Sequence, residues 1–99
     1  MFYTYILYSK NIDTFYKGST SDIADRLKRH NSGSEKYTHK GTPWILLWFT
    51  EKNSRSEAYK LEIKLKNLSR KRTIEFIIKY KEDIAGTDEL LFIKQLSEC

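Results

Sequence analysis

Residues 2–9 read Phe2-Tyr3-Thr4-Tyr5-Ile6-Leu7-Tyr8-Ser9, and residues 14–18 read Thr14-Phe15-Tyr16-Lys17-Gly18. Both runs are rich in aromatic and β-branched side chains, which fit a pleated, half-buried surface. The polar stretch between them, Lys10-Asn11-Ile12-Asp13, has the length of a hairpin loop. An antiparallel hairpin therefore opens the chain, and the remaining elements must pack on it.

Working outward, Ser19-Thr20-Ser21-Asp22 supplies helix N-cap types, and Asp25 adds a first-turn carboxylate that suits the positive end of a helix dipole. A helix is expected over residues 23–31, with Gly33 as its stop. At ~100° per residue, Ile23, Leu27 and His30 share one face, with Arg26 beside them. Residues 32–43 read as a polar loop, long for a small domain. Residues 44–50 are almost wholly apolar and short enough for a strand buried on both faces, which suggests the middle or best-covered strand. A second helix follows, started either by Ser54 with Glu57 at capping-box spacing or by Ser56 one turn later. Ala58, Leu61, Leu65 and Leu68 give it one apolar face. Ser69-Arg70-Lys71-Arg72 interrupts the pattern. A further helix over residues 73–80 packs through Ile74, Ile77 and Ile78. Beyond Gly86, the residues Leu90, Leu91, Ile93 and Leu96 suggest a short last helix. The order β-β-α-β-α-α makes a small α/β (α+β) domain, a three-stranded and mainly antiparallel sheet flanked by helices. Residues 1–80 are expected to form this domain, and residues 81–99 an acidic tail whose helix packs on it.

The 99 residues suit one domain with one modest core. Hydrophobic content of 39% and aromatic content of 14% exclude a disordered, collagen-like or coiled-coil chain. The one cysteine, Cys99, excludes an internal disulfide framework and a multi-cysteine zinc site. No apolar run approaches the ~20 residues of a membrane span, and the N-terminus lacks the features of a signal peptide. A cytoplasmic protein with no membrane partner is expected. The net charge of +5 is unevenly placed: residues 1–79 hold 16 basic and 8 acidic side chains, and residues 80–99 hold 2 and 5. A basic body beside an acidic tail points to a polyanionic partner.

Several side chains could carry chemistry. Tyr5 and Tyr16 sit on the two hairpin strands, Arg26 and His30 lie one turn apart, and Lys17, Ser19 and Thr20 flank Gly18. Glu62 lies just outside the Ala58/Leu61/Leu65 stripe, pointing along the sheet margin. Taken singly, each has an ordinary reading. The tyrosines pack, Arg26 is a surface charge, His30 is a core-edge histidine, and Glu62 pairs with Lys66 at i,i+4.

Together, Tyr3-Thr4-Tyr5-Ile6-Leu7, Tyr16-Lys17-Gly18-Ser19-Thr20, Asp22-Ile23 with Arg26-Leu27 and His30-Asn31, and Ser56-Glu57-Ala58 with Glu62, Leu65 and Lys66 resemble the GIY-YIG nuclease superfamily. The likeness is to its small single-domain branch, similar to the nuclease module of the bacterial excision-repair C subunit, and it covers residues 2 to about 79. It departs in three places. The first triplet lacks its glycine, Lys17 replaces the middle aliphatic residue of the second, and an asparagine that many members carry after the glutamate is missing.

The resemblance implies metal-dependent endonucleolytic cleavage of DNA, in repair or recombination. Carried over by position, it implies Tyr5, Tyr16, Arg26, His30 and Glu62 as catalytic residues, Gly18 as structural, and Glu62 as ligand of one Mg²⁺ or Mn²⁺. Such an ion binds through one or two carboxylates, with water and substrate completing its shell. Which of Tyr5, Tyr16 and His30 takes the proton is open, since a free phenol titrates near ~10 and imidazole near ~6.5.

For binding, Lys60, Lys64, Lys66, Arg70, Lys71 and Arg72 place six cations in thirteen residues, and Lys28, Arg29, Lys36, His39 and Lys40 extend the basic surface. Lys17 and Tyr37 complete the set, Tyr37 as a stacking platform for an unpaired base. The alternatives are a nucleic-acid-binding module of the same fold with little or no catalysis, RNA as the substrate, and an interaction adaptor using the acidic tail or Cys99. Cutting both strands is simplest for two copies, so a homodimer is an open expectation.

Overall fold

The computed structural model describes residues 1–33 and 35–98; Cys99 lies outside them. Strands β1 (Phe2–Ser9) and β2 (Thr14–Thr20) form the expected hairpin, with Tyr5 opposite Gly18. The loop closes on Asp13, whose φ of 50° falls in the left-handed region that Asp tolerates. Its carboxylate accepts from the Tyr8 hydroxyl and, at 2.8 Å, from Arg70. β2 runs on through Ser19 and Thr20, so the helix start is pushed to Asp22, which caps α1 (Ile23–Asn31) by accepting from Asp25 N–H at 3.0 Å. A 3₁₀ turn, His39–Gly41, precedes β3 (Trp44–Lys52). Three helices follow: α2 (Arg55–Lys66), α3 (Arg70–Lys79) and, after the short turn Lys81–Asp83, α4 (Thr87–Ser97).

The sheet order is β2-β1-β3, antiparallel throughout. The middle strand is therefore β1 and not the apolar run 44–50. That run is apolar because it is covered in other ways. Both its faces meet packed side chains, and its outer edge is closed by the segment before α4, where Trp48 bridges Ile84 and Ala85 N–H donates to Leu47 C=O at 2.8 Å. A register shift between Ile6 and Leu7 leaves Leu47 as an extra residue on β3.

Of the two caps open to α2, Ser54 holds it, accepting from Glu57 N–H at 3.1 Å. Ser69 does the same for α3 at Arg72 N–H, 3.2 Å. The basic triplet Arg70-Lys71-Arg72 is thus the first turn of α3 and not an interruption, and the break lies at residues 67–69.

Each sheet face carries its own core. On one, Ile6, Tyr8, Leu47 and Trp48 meet Leu65 of α2, Ile74 and Ile77 of α3 and Ile93 of α4. On the other, Tyr5, Leu7 and Trp44 meet Tyr16 and the Ile23 and Leu27 side chains of α1. Two residues expected to pack, Ile78 and Leu91, are exposed instead, because Ile74/Ile77 and Leu90/Ile93 define the inward faces of their helices. Among the described residues no helix is long and apolar enough to cross a membrane.

Candidate functional site

The chemistry-bearing residues collect around the second half of β2. Tyr5 rises from the middle strand toward Gly18, its partner in the ladder. A Cβ on Gly18 would stand 2.5 Å from the Tyr5 hydroxyl and 3.2 Å from the Tyr16 ring, so only glycine lets the phenol cross the strand there. The Tyr5 hydroxyl lies 3.1 Å from His30 Nε2, and Tyr16 stacks edge-on to the same imidazole at 4.7 Å between centroids. His30 is 1% exposed, and its Nδ1 meets Thr38 Oγ1 at 2.9 Å. Thr38 is fixed in turn by Trp44, whose indole N–H donates to its carbonyl at 2.8 Å. The loop 32–43 is therefore polar in composition but sends Thr38 and Gly41 into the interior.

Burial pushes the Tyr5 phenol up to about 12, against the Arg26 guanidinium beside it, which acts the other way. Burial also lowers the His30 imidazole, and the Arg26 charge lowers it further. At neutral pH Tyr5 therefore holds its proton and His30 is neutral. Arg26 has only donors to offer. Its charge lies beside the Tyr5 oxygen, while His30 turns Nε2 to the Tyr5 hydroxyl and Nδ1 to the Thr38 hydroxyl.

Arg26 also pairs with Glu35 at 3.7 Å, and its Nε is buried with no hydrogen-bond partner. Its side chain lines an open groove of about 240 Å³ together with Phe2, Ser19, Thr20, Ser21 and Arg55. The buried Nε does not reach that groove, but the side chain as a whole is 31% exposed, and a guanidinium edge on such a groove suits a phosphate.

Glu62, on α2, reaches β2 at Ser19, the residue after Gly18. Its side chain is 12% exposed, one oxygen accepting from Ser19 Oγ at 2.6 Å and the other paired to Lys66 Nζ at 2.8 Å. Consecutive β2 residues thus serve both halves: Gly18 admits Tyr5, and Ser19 holds Glu62. Glu62 is near enough to raise the Tyr5 phenol by its charge. Among the described residues no three His, Cys, Asp or Glu side chains gather as a metal cage. The donor set, one carboxylate beside a hydroxyl, fits a hard ion such as Mg²⁺ or Mn²⁺ that draws its remaining ligands from water and substrate.

The expected binding residues are spread more widely. Lys28, Lys40, Lys71 and Arg72 are exposed, and Tyr37 is 93% exposed. Three others are engaged within the molecule: Arg29 with Asp25 at 3.0 Å, Lys66 with Glu62, and Arg70 with Asp13. Lys17 lies partly buried over the Phe15 ring, and that burial lowers its ammonium. Sequence reading did not single out Thr38, Glu35, Trp44, Phe2 or Arg55 for the site. Their parts come from tertiary proximity, and a lone threonine or first-turn arginine carries no periodic signal.

The GIY-YIG catalytic-domain family matches residues 1–75. A UPF0213 protein of Listeria welshimeri is 38% identical over 74 residues, covering 74% of this chain and 82% of that protein. One of Bacillus velezensis is 32% identical over 89 residues, covering 89% and 86%. The solution NMR structure of a UPF0213 protein from Bacillus halodurans is similar at a TM-score of 0.50 and 37% identity, covering 82% of this chain and 86% of that one.

Proposed function

The chain belongs to the GIY-YIG catalytic-domain family, a nuclease-type family, and on that footing we propose that it is an endonuclease hydrolysing phosphodiester bonds of DNA. It would work with one Mg²⁺ or Mn²⁺ held at Glu62, in the cytoplasm, in repair or recombination. The observation that carries this is the gathering, around Gly18-Ser19, of the buried Tyr5–His30 hydrogen bond, the groove-lining Arg26 and the Glu62 carboxylate held by Ser19.

Arg26 grips the scissile phosphate through the part of its guanidinium that lines the groove. Tyr5 receives a proton from the attacking water on its oxygen while its own proton passes to His30 Nε2, 3.1 Å away. An imidazolium there is opposed by burial and by the Arg26 charge. Phosphate on Arg26 offsets that charge, so the relay becomes easier only when substrate is bound. Thr38 anchors the ring at Nδ1, opposite the Tyr5 contact. Tyr16 packs against the imidazole and sets its tilt. Glu62, freed from Lys66, with the Ser19 hydroxyl beside it, would hold the divalent ion, which supplies charge neutralisation at the phosphate and the leaving oxygen.

A second reading, a nucleic-acid-binding module with little or no catalysis, is favoured by the engagement of both Glu62 oxygens by Ser19 and Lys66. Plasmid nicking with Mg²⁺, with Mn²⁺ and with chelator separates the two. The nuclease reading expects nicking only with metal, and a loss of about 10²-fold or more in Glu62→Ala. Salt-sensitive DNA binding without metal-dependent turnover supports the second reading. Nicking by Glu62→Ala at the wild-type rate would remove the metal role.

A further inference from the structure

We propose that the groove beside the catalytic cluster binds a second phosphodiester group of the cleaved strand, next to the scissile one, with Arg55 as its ligand. This rests on the nuclease reading above. Arg55 opens α2 directly after the Ser54 cap and stands on the groove that Arg26 lines from α1. Its guanidinium lies 5.3 Å from the centroid of the Phe2 ring, a cation–π contact that positions it without using its hydrogen-bond donors. Among the described residues no carboxylate pairs with Arg55, and none lines the groove.

The groove therefore presents two guanidinium groups and the Ser21 side chain, the Ser19 hydroxyl being given to Glu62 and that of Thr20 to the Asp22 carbonyl. Two cations on one groove disfavour each other until anions occupy it. A single phosphate taken by Arg26 would leave Arg55 uncompensated. A nucleic-acid strand brings its phosphates in series, so the next one satisfies the second guanidinium. Phe2 offers the intervening sugar or base an apolar surface. Neighbouring cations on the protein surface, such as Lys71 and Arg72, belong to α3 and do not line this groove.

The test uses fluorescently labelled DNA in which one methylphosphonate is moved along the strand, with binding read by anisotropy in chelator. For the wild type, neutralising the position next to the scissile phosphate should weaken binding about five- to tenfold. Arg55→Ala should weaken binding of unmodified DNA by the same factor and become insensitive at that position alone. Its slope of log affinity against log salt should fall by about one. Arg55→Lys should recover part of the loss. Arg55→Ala with wild-type affinity and full sensitivity at every position overturns the inference while leaving the nuclease reading intact. If wild-type protein neither binds nor nicks unmodified DNA, both readings fall together.

Discussion

His30 shows how much one side chain is asked to do in this molecule. It is buried, hydrogen-bonded at both ring nitrogens and held neutral by its surroundings. Because its folded value is depressed below the ordinary 6.5, the folded state binds fewer protons than the unfolded chain in that interval. The stability it contributes is full above about pH 6.5 and is lost as pH falls through the lower folded value. Urea unfolding at about pH 7.5 and about pH 5.5 should show wild type losing more stability than His30→Gln. Equal losses would assign the acid sensitivity elsewhere. Tyr5, Tyr16, Arg26, His30 and Glu62 can be nominated from the amino-acid sequence alone, since their types and order are set along the chain. Thr38, Glu35 and Arg55 are not, because each gains its neighbour from a different element folding against it.

The elements themselves are legible where period and cap agree. The hairpin, α1 and α2 follow their residues closely. Strand order is not, since an apolar run reports covered faces and says nothing of which strand lies beside it. β3 looks like a central strand because the Ile84–Ala85 segment closes its edge. The start of α3 is obscured by charge. Three cations in a first turn oppose the helix dipole, so the sequence reads as a break, yet Ser69 caps the turn and Asp13 neutralises Arg70. The helix should consequently lean on its cap. Ser69→Ala is expected to cost about 1 kcal/mol in urea unfolding, with the same slope against denaturant. No change would mean that packing through Ile74 and Ile77 alone fixes the start of the helix.

Across the whole molecule, charge and architecture divide the chain differently. The charge changes sign near residue 80, but α4 lays Ile93, 0% exposed, into the larger core and Phe92 against Tyr8. Ile93→Ala should therefore lower stability by about 2–5 kcal/mol, and a chain ended at residue 80 should lose cooperative unfolding. A truncated protein that still melts sharply would make residues 81–98 an appendage. The two cores also differ in what they report. Trp44 belongs to the face that carries Tyr5 and Tyr16, and Trp48 to the face built by the helices. With Trp48→Phe, the remaining indole would glow from beside the Tyr16 and Thr38 contacts of His30 alone, an intrinsic optical gauge of that face that global melting does not share.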